Sequence, residues 1–268
     1  VGPGGKGSNQ AIAAARLNGN ISFITKMGKD SHSQMAFDLY KEAGVKTHSI
    51  IQDDKLFTGV AGIMIDEDGN NAINIISGAA EHLNNRDIDN HIETIKNSEI
   101  FLTQMETPDE TTIYALKKAK ENGCTTILNP APAAKLPKEV FGLCDFITPN
   151  ETETEALTGL PVRNEKEAET AAKFLNELGV RTPIITMGEQ GAFLHEHGLI
   201  PAFDVGEVVE TTGAGDAFNG GFAVALSEGK SALEAVKFGC ATASISVTRP
   251  GTAPSMPARD EVEKLLVS

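Results

Sequence analysis

Tryptophan is absent from the 268-residue chain and tyrosine occurs only twice, which argues against an aromatic-rich β-sandwich. Cysteine is nearly as scarce. Cys124, Cys144 and Cys240 are odd in number and lack CxxC spacing, so neither a disulfide framework nor a zinc knuckle is suggested. Free thiols fit a reducing, cytoplasmic setting. Basic residues are outnumbered, 23 Lys and Arg against 37 Asp and Glu, for a formal charge of -14. Such a chain lacks the positive field and the Lys/Arg-rich run of a nucleic-acid binder. No apolar run approaches the roughly 18 residues of a membrane span, and the glycine-rich start is unlike a signal-peptide core. Neither nucleic acid nor membrane is therefore expected as a partner. Any phosphate must be met locally, by backbone N–H groups, a metal ion or a few placed cations.

Glycine is plentiful, with 26 residues, and apolar stretches alternate with helical patterns. Residues 21–27 precede a helical pattern at 32–43, and residues 100–105 precede another at 110–122. Residues 125–128, 146–148 and 183–187 read as buried strands, 166–178 as an amphipathic helix, and 215–226 and 232–247 as closing helices. The alternation predicts an α/β fold, a central, mostly parallel sheet flanked by helices. Residues 58–65 and 71–76, joined by Asp66-Glu67-Asp68-Gly69-Asn70, read instead as a β-hairpin, a small lid over residues 58–76. With no repeat or linker, residues 1–268 read as a single domain carrying that excursion. Polar residues stand where the strands run out: Gln104 and Glu106, Asn129, Asn150 and Gly188. Open parallel sheets bind ligands at those ends, although any one strand must end in something polar.

Two glycine-rich loops invite a phosphate reading. Gly2-Pro3-Gly4-Gly5-Lys6-Gly7 matches G-x-G-x-x-G, the fingerprint of dinucleotide-dependent oxidoreductases, but no strand precedes it. It fails the Walker A pattern because Gly7 follows Lys6. An α/β domain places a strand before such a loop, so a segment upstream of Val1 is expected. The loop leads into a helix at residues 9–17, whose first N–H groups, with Lys6, could grip a polyol or an anion. Thr211-Thr212-Gly213-Ala214-Gly215-Asp216 is the stronger signal, a glycine turn opening a helix beside a carboxylate. Spacing leaves Asp216 open between a helix-dipole partner and a base that deprotonates a phosphoryl acceptor. Asn150-Glu151-Thr152-Glu153 is likewise open between a capping box and a site where Glu153 organises Mg²⁺ through water. His195-x-His197 has no third ligand and reads as a solvated hairpin edge. The acidic turn at residues 66–70 lacks EF-hand spacing, and no G-x-S-x-G elbow supports Ser/His/Asp hydrolysis.

Together, Gly4-Gly5-Lys6-Gly7-Ser8-Asn9-Gln10, Leu128-Asn129-Pro130-Ala131-Pro132, Thr148-Pro149-Asn150-Glu151-Thr152-Glu153 and Thr212-Gly213-Ala214-Gly215-Asp216-Ala217-Phe218-Asn219-Gly220 closely resemble the ribokinase-like (phosphofructokinase-B-type) carbohydrate kinase family. The similarity runs over essentially the whole chain. It implies a ribokinase-like fold and ATP-dependent phosphorylation of a sugar, D-ribose first, with fructose, a deoxyribose or a nucleoside as other acceptors and a non-catalytic sugar sensor as the further alternative. By position, Gly4, Gly5, Lys6, Asn9 and Glu106 fall on the sugar-binding set, and Asp216 on the catalytic base. Gly213, Ala214 and Gly215 fall on the anion hole. Asn150, Glu153, Thr186, Met187, Gly188, Glu189, Gln190, Gly191, Gly215 and Cys240 fall on the ATP-binding set, with Glu153 organising Mg²⁺. Glu210, Thr212, Ser246, Arg249, Gly251 and Ser255 fall on a K⁺ site, with Glu210 where the family usually has Asp. The resemblance also implies pairing of two copies through the lid. In the family a first strand, an Asn-x-Asp sugar-binding segment and part of the lid precede the glycine loop, so a longer native chain is expected.

Overall fold

The computed structural model describes residues 2–65 and 71–267. The acidic turn Asp66-Glu67-Asp68-Gly69-Asn70 lies outside the described residues. The first helix, α1 (Lys6–Arg16), follows Gly5 directly and is buried along almost its whole length. β1 (Thr25–Gly28) and β2 (Ile50–Asp53) form a parallel pair. Between them runs α2 (Ser31–Ala43), closed at its start by a reciprocal Asp30 and Ser33 capping box and at its end by Gly44.

β3 (Thr58–Ile65) and β4 (Asn71–Gly78) then pair antiparallel, from Thr58 opposite Gly78 to Ile65 opposite Asn71. The root of this pair is tied to the body. Asp30 Oδ2 accepts from the Thr58 N–H at 2.7 Å, and the Gly28 N–H donates to Thr58 Oγ1 at 3.1 Å.

Short helices α3 (Asn85–Asn90) and α4 (Ile92–Lys96) lead to the larger sheet. Its strands are β5 (Ile100–Thr103), β6 (Thr125–Leu128), β7 (Phe146–Ile147), β8 (Thr182–Thr186), β9 (Ala192–Leu194) and β10 (Gly198–Ile200), ordered 10-9-8-7-6-5. β5 to β8 are mutually parallel, while β9 and β10 add antiparallel at one edge. The connections carry α5 (Asp109–Glu121), α6 (Lys138–Phe141), α7 (Glu151–Thr158) and α8 (Glu165–Glu177), and the chain closes with α9 (Ala214–Ser227), α10 (Ala232–Ser246) and α11 (Arg259–Leu266).

Adjacent residues on one strand point to opposite faces, and the core divides accordingly. Ile127 and Ile184 face Phe218 and Phe222 of α9, Val236 and Phe238 of α10 and Val262 of α11. Leu128 and Ile147 face Leu116 of α5, Val140 of α6 and Leu175 of α8. The sheet is thus covered by helices on both sides, as parallel strands require.

One sequence expectation changes. The strand expected at 21–27 is the shorter β1, paired with β2 in its own sheet, while Ser22 makes an isolated parallel bridge to Lys46. His195 and His197 lie at the hairpin edge expected of them. They flank Glu196, at φ 66, in the tight turn between β9 and β10, and no group of three or more potential metal-ligating His, Cys, Asp or Glu residues occurs among the described residues.

Candidate active site

The sheet order places the ends of β6, β7 and β8 side by side, and the starts of α1 and α9 lie across them. Gly213 caps α9 with φ 85, a left-handed conformation that favours glycine. The chain can then turn so that Gly213 and Gly215 line the cleft at the strand ends, at a helix start whose first-turn N–H groups have no intrahelical partner, the Ala214 N–H being taken by the Thr211 carbonyl at 3.1 Å. Asp216 sits in that first turn, only 6% exposed. Its Oδ2 accepts from Asn9 Nδ2 at 2.8 Å and its Oδ1 from Gln10 Nε2 at 2.9 Å. Burial raises the Asp216 carboxyl above the ordinary aspartate range, opposed by these two amides and by the Lys6 ammonium.

Glu106, beyond β5, accepts from the Lys6 backbone N–H at 2.8 Å. Its carboxyl is also raised, first by burial and further by the charge of Asp216, against the pull of Lys6. Asn150 and Glu153 form the capping box of α7, the Asn150 N–H donating to Glu153 Oε2 at 2.9 Å and the Glu153 N–H to Asn150 Oδ1 at 2.8 Å. This does not exhaust Glu153. The residue is 8% exposed, its carboxyl is raised by burial, and it also lines the central cleft.

That cleft has a volume of about 140 Å³. Lys6, Asn150, Glu153, Thr186, Gly213, Gly215 and Asp216 line it, so residues from four separate segments of the sequence converge. Asn9 joins them through Asp216, and Glu106 through Lys6. Sequence reasoning assigned no role to three further polar lining residues, Asn129, Thr148 and Asn219. In the sequence Asn129 stands out only as a strand end, and the other two lie within motifs whose signal is carried by their neighbours.

The remaining candidates lie around this centre. Gly4 and Gly5 are exposed at the mouth of α1. Met187 is buried, Gly188, Glu189 and Gln190 form a solvent-exposed single turn, and Gly191 closes it at φ 108. Cys240 is 3% exposed in the core beneath α9, its thiol pushed up to about 12 by burial, and it does not line the cleft. Of the residues at the K⁺ positions, Glu210 and Gly251 meet, the Gly251 N–H donating to Glu210 Oε2 at 2.7 Å, and the neighbouring Thr252 packs against Gly213 at the start of α9. The Ser246 and Ser255 hydroxyls donate to the carbonyls of Ala243 and Thr252 and keep lone pairs free to accept. Arg249 is paired with Glu261, so only its carbonyl could face a cation.

Residues 1–259 match the model of the pfkB family carbohydrate kinases. The chain is 42% identical to the ribokinase of Haemophilus influenzae over 98% of its own length and 87% of the relative. It is 37% identical to the deoxyribokinase of Salmonella typhi, over 99% and 88% respectively. The structure of Arabidopsis thaliana ribokinase complexed with ribose and ATP aligns with a TM-score of 0.91 at 35% identity, covering 98% of this chain and 87% of that one. The chain therefore belongs to the pfkB family of carbohydrate kinases, and its fold is the ribokinase-like one.

Proposed function

We propose that the protein is an ATP-dependent kinase that transfers the γ-phosphate of ATP to the 5-hydroxyl of D-ribose, releasing ADP and D-ribose 5-phosphate. The observation that carries this reading is the buried Asp216 carboxylate, held by Asn9 and Gln10 in the glycine-led first turn of α9. In this reading Asp216 takes the proton as the ribose 5-oxygen forms its bond to the γ-phosphorus and the bond to the β-phosphate oxygen breaks. The N–H groups around Gly213, Ala214 and Gly215 meet the charge developing on the transferred group. Glu106 and Lys6 hold sugar hydroxyls, and the turn around Gly188 and the residues near Thr186 lie along the nucleotide.

Mg²⁺ suits a site with a single available carboxylate, Glu153, because it keeps waters and takes phosphate oxygens for the rest. It would neutralise charge on the ATP phosphates. Glu210 Oε1 and the hydroxyl oxygens of Ser246 and Ser255 are oxygen donors of the kind K⁺ takes. The β3–β4 pair serves as the lid, and pairing of two copies through it is the assembly we favour. A single domain working in the cytoplasm accords with three buried free thiols. Among the described residues no helix is long and apolar enough to cross a membrane. The similarity to a deoxyribokinase keeps 2-deoxyribose as the second acceptor.

Replacing the base tests the assignment. Asp216→Asn is expected to lower kcat by roughly 10²–10⁴-fold, about 3–5 kcal/mol, with little change in ATP affinity. Near-normal turnover would remove Asp216 from the role.

A further inference from the structure

Behind the Asp216 carboxylate, buried amides form a continuous belt across the strand ends and back to α9. Gln10 Nε2 donates to Asp216 Oδ1 at 2.9 Å and to Asn129 Oδ1 at 3.0 Å. Asn129 Nδ2 donates to the Thr148 carbonyl at 3.1 Å. The Thr148 hydroxyl donates to Asn219 Oδ1 at 2.7 Å, and Asn219 Nδ2 donates to the Gly215 carbonyl at 2.8 Å. The belt begins on the carboxylate and ends in the first turn of the helix that carries it. Gln10 and Asn219 are each 1% exposed, so solvent cannot substitute for a lost partner. Gln104 Nε2 donates to Gln10 Oε1, which fixes the Gln10 amide from its other side. Turning that amide over would set its oxygen against Asp216 Oδ1.

We propose that Gln10 is a positioning residue for phosphoryl transfer: it locks the plane of the Asp216 carboxylate and, through Asn129, Thr148 and Asn219, ties that plane to the anion-hole end of α9. This inference rests on the reading of Asp216 as the base. The terminal torsion of an aspartate is broad and roughly two-fold, and Asn9 holds only one of the two oxygens. A second bond, to the other oxygen, converts a pivot into a fixed plane. Each carboxylate oxygen accepts more than one hydrogen bond, so the Gln10 contact leaves room for an incoming hydroxyl. From Gln10 through Asn129 and Thr148 to Asn219 each side chain of the belt is hydrogen-bonded, whereas Asn9 Oδ1, on the other side of the carboxylate, is buried without a partner; the belt is therefore the side that rigidifies, and the rigid object is the reacting group.

A double-mutant cycle separates positioning from packing. Gln10→Leu is expected to lower kcat about 10- to 100-fold while the KM for ATP stays within about two-fold. In an Asp216→Asn background the same change is expected to cost no further turnover, since no carboxylate remains to be aligned. Gln10→Met, which keeps the length of the side chain but has no donor, is the companion variant if a thermal melt shows that Gln10→Leu does not fold. It is expected to show the same non-additivity. An equal loss in both backgrounds, or an unchanged kcat in Gln10→Leu, would overturn the inference. A strongly slowed Asp216→Asn with additive Gln10 losses overturns only the positioning role, whereas near-normal turnover in Asp216→Asn overturns the base assignment itself.

Discussion

Glu106, Glu153 and Asp216 are pushed in the same direction by burial and pulled back by the same cation, Lys6. In a chain of net charge -14 that ammonium is the local counterweight to both the carboxylates and an incoming polyphosphate. A base accepts a proton only when ionised, so turnover should fall as pH drops through the raised Asp216 value and the carboxylate is protonated. Removing Lys6 takes away an influence that favours the ionised form. Lys6→Met is therefore expected to move the acid limb of the kcat–pH profile to higher pH, and a limb that stays in place would show that Lys6 is too far or too screened to matter. Asp216, Glu106 and Glu153 were legible in the sequence because each lies in a motif or at a strand end. The partners that hold Asp216 were not, because Gln10 is separated from it by 206 positions and Thr148 from Asn219 by 71. No local periodicity records such a distance.

Helices α1 and α9 carry the two sides of this machinery, and their closeness depends on small residues. A Cβ on Gly220 would lie 2.6 Å from Ala13 Cβ and 3.0 Å from the Gln10 carbonyl oxygen. Gly220→Ala must push the helices apart, moving Asn9 and Gln10 relative to Asp216. The expected result is a stability loss of about 1–3 kcal/mol in urea melts, with a fall in kcat larger than any change in the KM for ATP. An active, equally stable variant would mean that the helices slide without disturbing the site. At this scale the sequence was informative wherever the pattern was long. Helices α2, α5, α8, α9 and α10 stand close to where periodicity put them, and alternation across a turn signal marked the β3–β4 pair. It was weaker for short pieces. The four residues Ile50–Asp53 carry too few positions for an alternation to register, and β1 is set by its pairing with them rather than by its own composition.

Across the molecule, the last helix is docked by Val262, its one fully buried residue, by the partly buried Leu265 and Leu266, and by an ionic clamp at its first residue, and its eight residues are too short a stretch for periodicity to register in the sequence. Arg259 bonds to Glu228 at the end of α9, to Glu263 and to the Leu17 carbonyl after α1, and lies over the Phe238 ring of α10 at 5.0 Å. The Arg259 guanidinium lowers the Glu228 carboxyl from its ordinary 4.5 to about 2. A carboxyl depressed on folding stabilises above its unfolded value and loses that contribution as pH falls through the folded one. Glu228→Gln should thus cost about 1 kcal/mol at neutral pH after solvent screening, a difference that narrows between pH 4.5 and about 2 in thermal melts. A gap independent of pH would place the stabilisation in packing rather than in the ion pair.

The identity of the phosphoryl acceptor is the claim on which the rest depends. Sugar-dependent ADP release, followed with ATP and Mg²⁺ over a panel of ribose, 2-deoxyribose, fructose and a nucleoside, tests it most directly. The account predicts the highest kcat/KM with D-ribose and formation of D-ribose 5-phosphate. ATP binding without sugar-dependent ADP release, or a clear preference for another acceptor, would contradict it.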